Sequence, residues 1–289
     1  MNRVWIMGCG DIGRRIARLY QSQGVQATGW VRGQNSLVLG EQQGIDMRLG
    51  DLDQGCFFPR NAFEGAVIFW LMPPPNQGLM DSRLRRFLLA VQKAPKRIVS
   101  ISTTGVYGDC EGRWIDESEA LRPKVDRAKR RLDAELALQA WGEAYHGDWV
   151  ILRVPGIYSA ERLPLERLQR AEPVLLESEA PWTNRIHADD LARICVQAMQ
   201  VAPQHSIYNA CDGHPSTMTD YFNQIADFAQ LARPPQVSLA EASRVVSTGM
   251  LTYLQESRRI RNDKLLQELK LQLLYPSLLE GLKAIRQGG

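Results

Sequence analysis

The feature that most constrains this chain is a glycine-spaced break that follows its first apolar run. Val4-Trp-Ile-Met7, entered from Arg3, stops at Gly8-Cys9-Gly10-Asp11-Ile12-Gly13. Ile12, Ile16 and Leu19 then recur at helical spacing as far as Gly24. Strand, G-x-G-x-x-G and helix in that order are what a dinucleotide pyrophosphate requires. Gly8 permits the tight turn, Gly10 lets phosphate approach the backbone, and Gly13 lets helix and strand pack closely. The phosphates then meet a helix N-terminus, where free N–H groups and the dipole favour negative charge. The spacing predicts a nucleotide site on Gly8, Gly10, Asp11, Ile12 and Gly13.

After this unit, short apolar runs keep alternating with helical patterns. That alternation predicts an α/β chain with a Rossmann-like, doubly wound parallel sheet. Strands are expected at Val25–Val31, Asp46–Leu49, Ala66–Leu71, Arg97–Ser102 and Trp149–Arg153, with helices near 36–43, 79–93 and 124–144 between them. Residues 156–184 carry prolines and mixed polarity and read as an insertion facing the strand ends. A clean helix returns at Asp189–Met199, with Asp189 or Asp190 as a first-turn acid, and Ile207-Tyr-Asn-Ala reads as one more strand of the sheet. The last stretch is mainly helical, with a turn at Pro234-Pro235 and Pro276 opening a terminal helix. Residues 1–155 plus about 185–212 are therefore expected to form the nucleotide-binding domain. Residues 156–184 plus 213–289 form a smaller, mainly helical C-terminal substrate lobe.

Bulk properties exclude several classes of function. A net charge of +3 over 289 residues argues against nucleic acid or an anionic membrane as partner. Five cysteines (Cys9, Cys56, Cys110, Cys195, Cys211) form no CxxC pair. They predict buried, reduced thiols, with neither a disulfide framework nor a zinc or other metal site. No apolar run approaches the ~18 residues of a spanning helix, and Arg3 and the glycine turn interrupt any leader-like h-region. A cytoplasmic protein is the expectation, as a monomer or homodimer, with a small-molecule substrate or a protein partner.

An acid should close the second strand if NAD is preferred, because that carboxylate binds the ribose hydroxyls. Here the strand closes on Trp30-Val31-Arg32. Arg32 suits a 2′-phosphate, so NADP is expected over NAD; the alternative is a solvated arginine at a strand end. Asp51-Leu52 closes the third strand, where a side chain can lie against adenine or merely mark a turn. Leu71, at the end of the fourth strand, is a further cofactor candidate. The fifth strand runs into Ser102-Thr103-Thr104-Gly105-Val106-Tyr107-Gly108. Hydroxyls at a strand's carboxyl end suit a substrate carbonyl or alcohol, or equally a turn.

Taken together, several short motifs resemble the extended short-chain dehydrogenase/reductases, the NAD-dependent epimerase/dehydratase family. They are Gly8-Cys-Gly-Asp-Ile-Gly13, Gly50-Asp51-Leu52, Ser102-Thr103-Thr-Gly-Val-Tyr107-Gly, Leu152-Arg153-Val-Pro155-Gly156-Ile-Tyr158, Ile186-His187-Ala-Asp189-Asp190, Tyr208-Asn209-Ala and Tyr275-Pro276-Ser-Leu-Leu-Glu-Gly281. The resemblance implies that Thr103 orients a substrate and that a Tyr-x-x-x-Lys pair should supply the acid/base chemistry. Aligned on Pro123 and Glu135, the chain has Arg127 at the tyrosine position and Arg131 at the lysine position, and no Tyr-x-x-x-Lys occurs anywhere in it. The pattern is similar to the atypical, YeeZ-like branch of the family.

Arginine stays protonated near neutrality and cannot replace the tyrosine. Arg131 suits a cofactor ribose and Arg127 an anionic substrate; both could equally be solvated on a basic helix. Arg185 and Arg258 are further candidates for an anionic substrate. Tyr107 is the candidate proton donor beside Thr103, although the resemblance gives it a structural role. His187, Asp189 and Asp190 read as a strand end and a helix cap sooner than as acid/base machinery. Two functions follow as expectations: an epimerase, dehydratase or reductase with a non-standard site acting on an anionic or sugar-nucleotide substrate, or a non-catalytic NADP(H) sensor.

Overall fold

The computed structural model describes residues 3–55, 58, 61–91, 95–245 and 254–287. Cys56 and the end of the helix expected to reach Lys93 lie outside the described residues. The central sheet has seven strands: β1 (Val4–Met7), β2 (Ala27–Val31), β3 (Asp46–Leu49), β4 (Val67–Trp70), β5 (Arg97–Thr103), β6 (Trp149–Val154) and β7 (Ser206–Asn209). Their order is β7-β6-β5-β4-β1-β2-β3, and every pairing is parallel. The near-continuous apolar runs of β4 and β6 are buried throughout, as strands covered on both faces must be. The order reverses between β1 and β4, so a crevice opens outside their carboxyl ends, where open α/β sheets bind ligands.

Helices cover both faces. The helices α1 (Asp11–Gln21) and α6 (Ala188–Val201) share one core with the sheet, through Ile12, Ile16, Leu191 and Ile194. On the other face α3 (Ser82–Ala90) and α4 (Asp126–Tyr145) bury Leu84, Phe87, Leu138 and Trp141. The helix α2 (Gln34–Gln42) packs at the β3 edge, with Gly40 lying against Met47. A third cluster joins Tyr158, Leu168 in α5 (Leu165–Gln169), Phe222 and Ile225 in α7 (Met218–Ala229), and Leu278 and Leu282 in α10 (Leu278–Arg286). Between them lie α8 (Leu239–Val245) and α9 (Asp263–Leu269). The helix α9, which the sequence places in the smaller lobe, packs Leu265 and Leu269 into the main core.

Local chemistry explains most boundaries. The Asp81 side chain caps α3 by accepting from the Arg83 and Leu84 N–H groups, so the helix begins later than its apolar pattern suggests. Pro276 does not open the last helix; Ser277 caps it through the Glu280 N–H, leaving the proline just outside. No helix among the described residues is long and apolar enough to cross a membrane. The cysteines Cys9, Cys110, Cys195 and Cys211 are free and buried.

One polar cluster is buried where β5, β6, β7 and α4 meet. Arg153 in β6 is 3% exposed and pairs with Glu135 in α4, 2% exposed, at 2.9 Å. Ser102 in β5 donates to the same carboxylate. Removing one partner of such a pair leaves an uncompensated buried charge. Arg153→Met should therefore lower unfolding free energy by about 3–5 kcal/mol in urea titrations. The double variant Arg153→Met/Glu135→Leu should recover most of that loss.

Candidate active site

The glycine turn meets the requirements of a pyrophosphate cradle. Gly8 has φ +92°, and a Cβ there would sit 2.8 Å from the Met72 amide nitrogen, so only glycine fits between the ends of β1 and β4. A Cβ on Gly13 would sit 2.9 Å from Ile6 Cγ2, which keeps α1 close to β1. Nothing lies within 4 Å of a Cβ built on Gly10, and that residue gives α1 no side-chain cap. Open space in front of uncapped N–H groups is what a phosphate needs. Asp11 enters this turn as an acid, but Arg15 (2.9 Å) and Arg162 (2.8 Å) hold its carboxyl below the usual range against the opposing effect of burial. Leu71 lies at the end of β4 against Gly8.

Arg32 extends from the end of β2 with its side chain 63% exposed, and the nearest carboxylate oxygen, of Asp53, is 3.7 Å away. Asp53 is itself engaged by both nitrogens of the Arg83 fork. Asp51 makes the following turn by accepting from the Asp53 N–H, and Leu52 is buried in the core.

A cavity of about 570 Å³ opens beside the carboxyl end of β5, lined on its far side by residues such as Arg167, Tyr221, Phe222 and Arg258. Thr103, Arg127, Arg131, Arg185 and Arg258 all line it, so five residues singled out in the sequence converge on one space. Arg127 and Arg131 lie one turn apart on α4. Arg131 donates to the carbonyls of Met72 (3.1 Å) and Ile101 (3.0 Å), bridging the ends of β4 and β5. Arg185 donates to the Asn184 carbonyl and lies over the Tyr221 ring at 4.0 Å. Arg130, Arg167, Tyr221 and Glu256 also line the cavity, and none of them was a site candidate from the sequence.

Residues 83–211 match the sequence profile of the NAD dependent epimerase/dehydratase family. Along the chain, the protein YeeZ of Escherichia coli (strain K12) is 26% identical over 250 residues, covering 82% of this chain and 86% of YeeZ. A functionally unknown conserved protein from Silicibacter pomeroyi DSS superposes with TM-score 0.86 at 23% identity, over 100% of this chain and 99% of that one. UDP-glucuronic acid 4-epimerase from Bacillus cereus, solved in complex with NAD, superposes with TM-score 0.77 at 15% identity over 99% of each chain. These likenesses show the fold. The glycine turn lies outside the matched stretch and stands on its own geometry.

Tyr107 is not where a proton donor must be. It is 1% exposed, does not line the cavity, and donates to Asn209 Oδ1 (2.7 Å) while accepting from Arg153 (3.0 Å). Burial pushes its phenol up to about 12 despite the neighbouring Arg153. His187 accepts from the Asp189 N–H at 3.2 Å and so caps α6 itself, with the two aspartates in the first turn. Asp190, fully buried, accepts from the Leu274 and Tyr275 N–H groups. Thr103 accepts from the Gly105 N–H and keeps its place on the cavity wall.

Tyr107→Phe removes two buried hydrogen bonds and leaves Arg153 and Asn209 short of a partner. It should cost about 1–3 kcal/mol of stability in denaturant titrations and leave ligand affinity unchanged. Asp212 offers a pH test. Burial raises its carboxyl from 3.8 to about 7, partly opposed by the His214 N–H and Arg185. The folded state therefore favours the protonated form. Its contribution to stability is intact below pH about 4 and is lost as pH rises to about 7. Unfolding titrations across that range should show a decline in the wild type that Asp212→Asn flattens.

Proposed function

We propose that the chain is an NADP-preferring epimerase/dehydratase-type enzyme that holds an anionic small molecule in the arginine-lined cavity. The observation that carries this reading is the convergence of Arg127, Arg130, Arg131, Arg167, Arg185 and Arg258 on one wall system, with Glu256 as the acid among the lining residues. Residues 1–155 with about 185–212 form the cofactor-binding unit, joined by α9 in the main core, and 156–184 with the rest of 213–289 form the substrate lobe. A nicotinamide cofactor would be held by Gly8, Gly10, Asp11, Ile12 and Gly13 at its pyrophosphate, with Leu52 and Asp51 toward adenine and Arg131 toward the ribose. When bound, it supplies hydride transfer. Arg32 favours NADP because its exposed guanidinium suits a 2′-phosphate and no acid closes β2.

The chain's own residues have separable roles in this reading. Thr103 polarises a substrate carbonyl or hydroxyl at its Oγ1. Tyr221 is the tyrosine that lines the cavity; burial raises its pKa against the opposing effect of Arg185. It therefore stays protonated near neutrality and donates at its phenol oxygen. The burial of Tyr107 and the arginines at 127 and 131 favour a second reading, a non-catalytic NADP(H)-binding sensor in the cytoplasm.

Calorimetric titration with NADP, NADPH, NAD and NADH tests the cofactor reading. Arg32→Ala should weaken NADP at least tenfold, about the value of one charge-assisted contact, and NAD less than twofold. Equal losses overturn the NADP assignment. Turnover is then measured against sugar nucleotides and anionic carbonyl compounds. The enzyme reading expects Thr103→Val to lower kcat about 100-fold. Tight cofactor binding with no turnover of any of them would leave the sensor reading standing.

A further inference from the structure

The end of β2 carries no acid of its own, but the fold brings one to it from the next strand. Trp30 in β2 donates its indole N–H to the Gly50 carbonyl (3.0 Å), and Gly50 donates to the Val31 carbonyl (2.9 Å). The ends of β2 and β3 are thus tied together, and the turn that follows β3 lies beside Arg32. Asp53 sits in that turn, with Oδ2 3.7 Å from the Arg32 guanidinium. That gap is beyond hydrogen-bond reach. A carboxylate in this place can do two things to a dinucleotide. It can close on Arg32 and compete with a 2′-phosphate, or it can accept from the ribose hydroxyls, as the acid of an NAD site does.

Arg83 holds it back from both. From the first turn of α3, it donates at Nε to Oδ1 (2.9 Å) and at Nη2 to Oδ2 (2.5 Å), the two-pronged grip of a guanidinium on a carboxylate. Its Nη1 donates to the Pro73 carbonyl (2.9 Å), so the guanidinium is itself tied to the chain after β4. The Asp81 cap fixes the Arg83 backbone by accepting its N–H (3.1 Å). Arg86, one turn on, donates to the Leu52 carbonyl (2.9 Å) and so holds the Asp53 turn from a second point. The Arg83 hydrogen bonds keep the Asp53 carboxyl below the usual carboxylate range against the opposing effect of burial, so it is charged at neutral pH.

Exposure separates the parts. The Arg83 side chain is 14% exposed and that of Arg32 63%, so the clamp is sheltered while the residue it spares is open to a ligand. We infer that Arg83 is a positioning residue for cofactor choice: by clamping Asp53 it keeps Arg32 available to a 2′-phosphate and withholds the acid from the ribose hydroxyls. Without the clamp, an unmatched carboxylate beside Arg32 would pair with it and repel the phosphate. The inference rests on the NADP reading above and adds that the preference is set from α3, through Asp53.

Calorimetric titrations with NADP and NAD, read as the ratio of the two affinities, test it. Partial unfolding lowers both affinities alike and leaves that ratio unchanged. Arg83→Gln should lower the preference for NADP at least fivefold, mainly through weaker NADP binding. Arg83→Gln/Asp53→Asn should restore it to within twofold of the wild type, because no carboxylate is left to release. Should Arg83→Gln melt well below the wild type, Arg83→Lys keeps the charge without the two-pronged grip. It should lower the preference at least twofold, a loss that Asp53→Asn again reverses. An unchanged preference in the folded Arg83 variant, or a loss that Asp53→Asn does not reverse, overturns this inference and leaves the NADP reading intact if Arg32→Ala still abolishes the preference. Equal wild-type affinities, no binding of either cofactor, or equal losses in Arg32→Ala overturn the NADP reading and this inference with it.

Discussion

The buried pair between Arg153 and Glu135 is the interaction on which the arrangement of the cavity depends. Two charges a few per cent exposed are costly to bury, and an isolated pair seldom recovers the cost. Here the pair is not isolated. Ser102 donates to Glu135, Arg153 donates to Tyr107, and Tyr107 donates to Asn209. Asn209 in turn takes its place through its N–H to Glu117 (2.7 Å) and its amide to the Arg261 carbonyl (3.3 Å). Three neighbouring strands, the turn after β5, α4 and the segment carrying Glu256 and Arg258 are joined through one set of satisfied polar groups. The network fixes where α4 lies, and with it where Arg127 and Arg131 point.

Much of this was legible from residue order. The glycine spacing placed the crevice because each glycine has a steric reason to be there, and a Cβ at Gly8 or Gly13 collides with the neighbouring element. The sheet was legible because buried parallel strands read as unbroken apolar runs, as in Val67-Ile-Phe-Trp70. Arg127, Arg131, Arg185 and Arg258 were legible as candidates through their positions relative to motifs. Whether each faced solvent or the cavity was not, since a helix with arginine at 127, 130 and 131 presents no polar-to-apolar contrast.

What stayed hidden depends on contacts distant in sequence. Tyr107 sits four residues from Thr103, yet Arg153 and Asn209 draw its hydroxyl to the opposite side of the strand end. Glu256 lines the cavity because the chain returns to pair Arg259–Ile260 beside Trp114–Ile115, and nothing near residue 256 announces that return. The caps at Asp81, His187 and Ser277 shifted helix starts by local side-chain competition that periodicity does not register.

The cavity's charge has a further consequence when its arginines are set beside the others in the chain. Arg15, Arg83, Arg85 and Arg97 each face a carboxylate, so their charge is matched within the fold. At the cavity, Arg130, Arg131 and Arg185 instead donate to backbone carbonyls of Gly78, Met72, Ile101 and Asn184. A carbonyl satisfies the geometry of a guanidinium and fixes its position, but it leaves the unit charge in place. Because α4 is anchored through Glu135, these groups are held at small further cost in side-chain entropy. In the proposed reading, a cavity lined by six arginines and one glutamate offers an anion ordered positive groups before it arrives. On the same reading, the arginines at 127 and 131 make α4 a helix that offers a ligand positive charge where the resemblance led one to expect a tyrosine and a lysine.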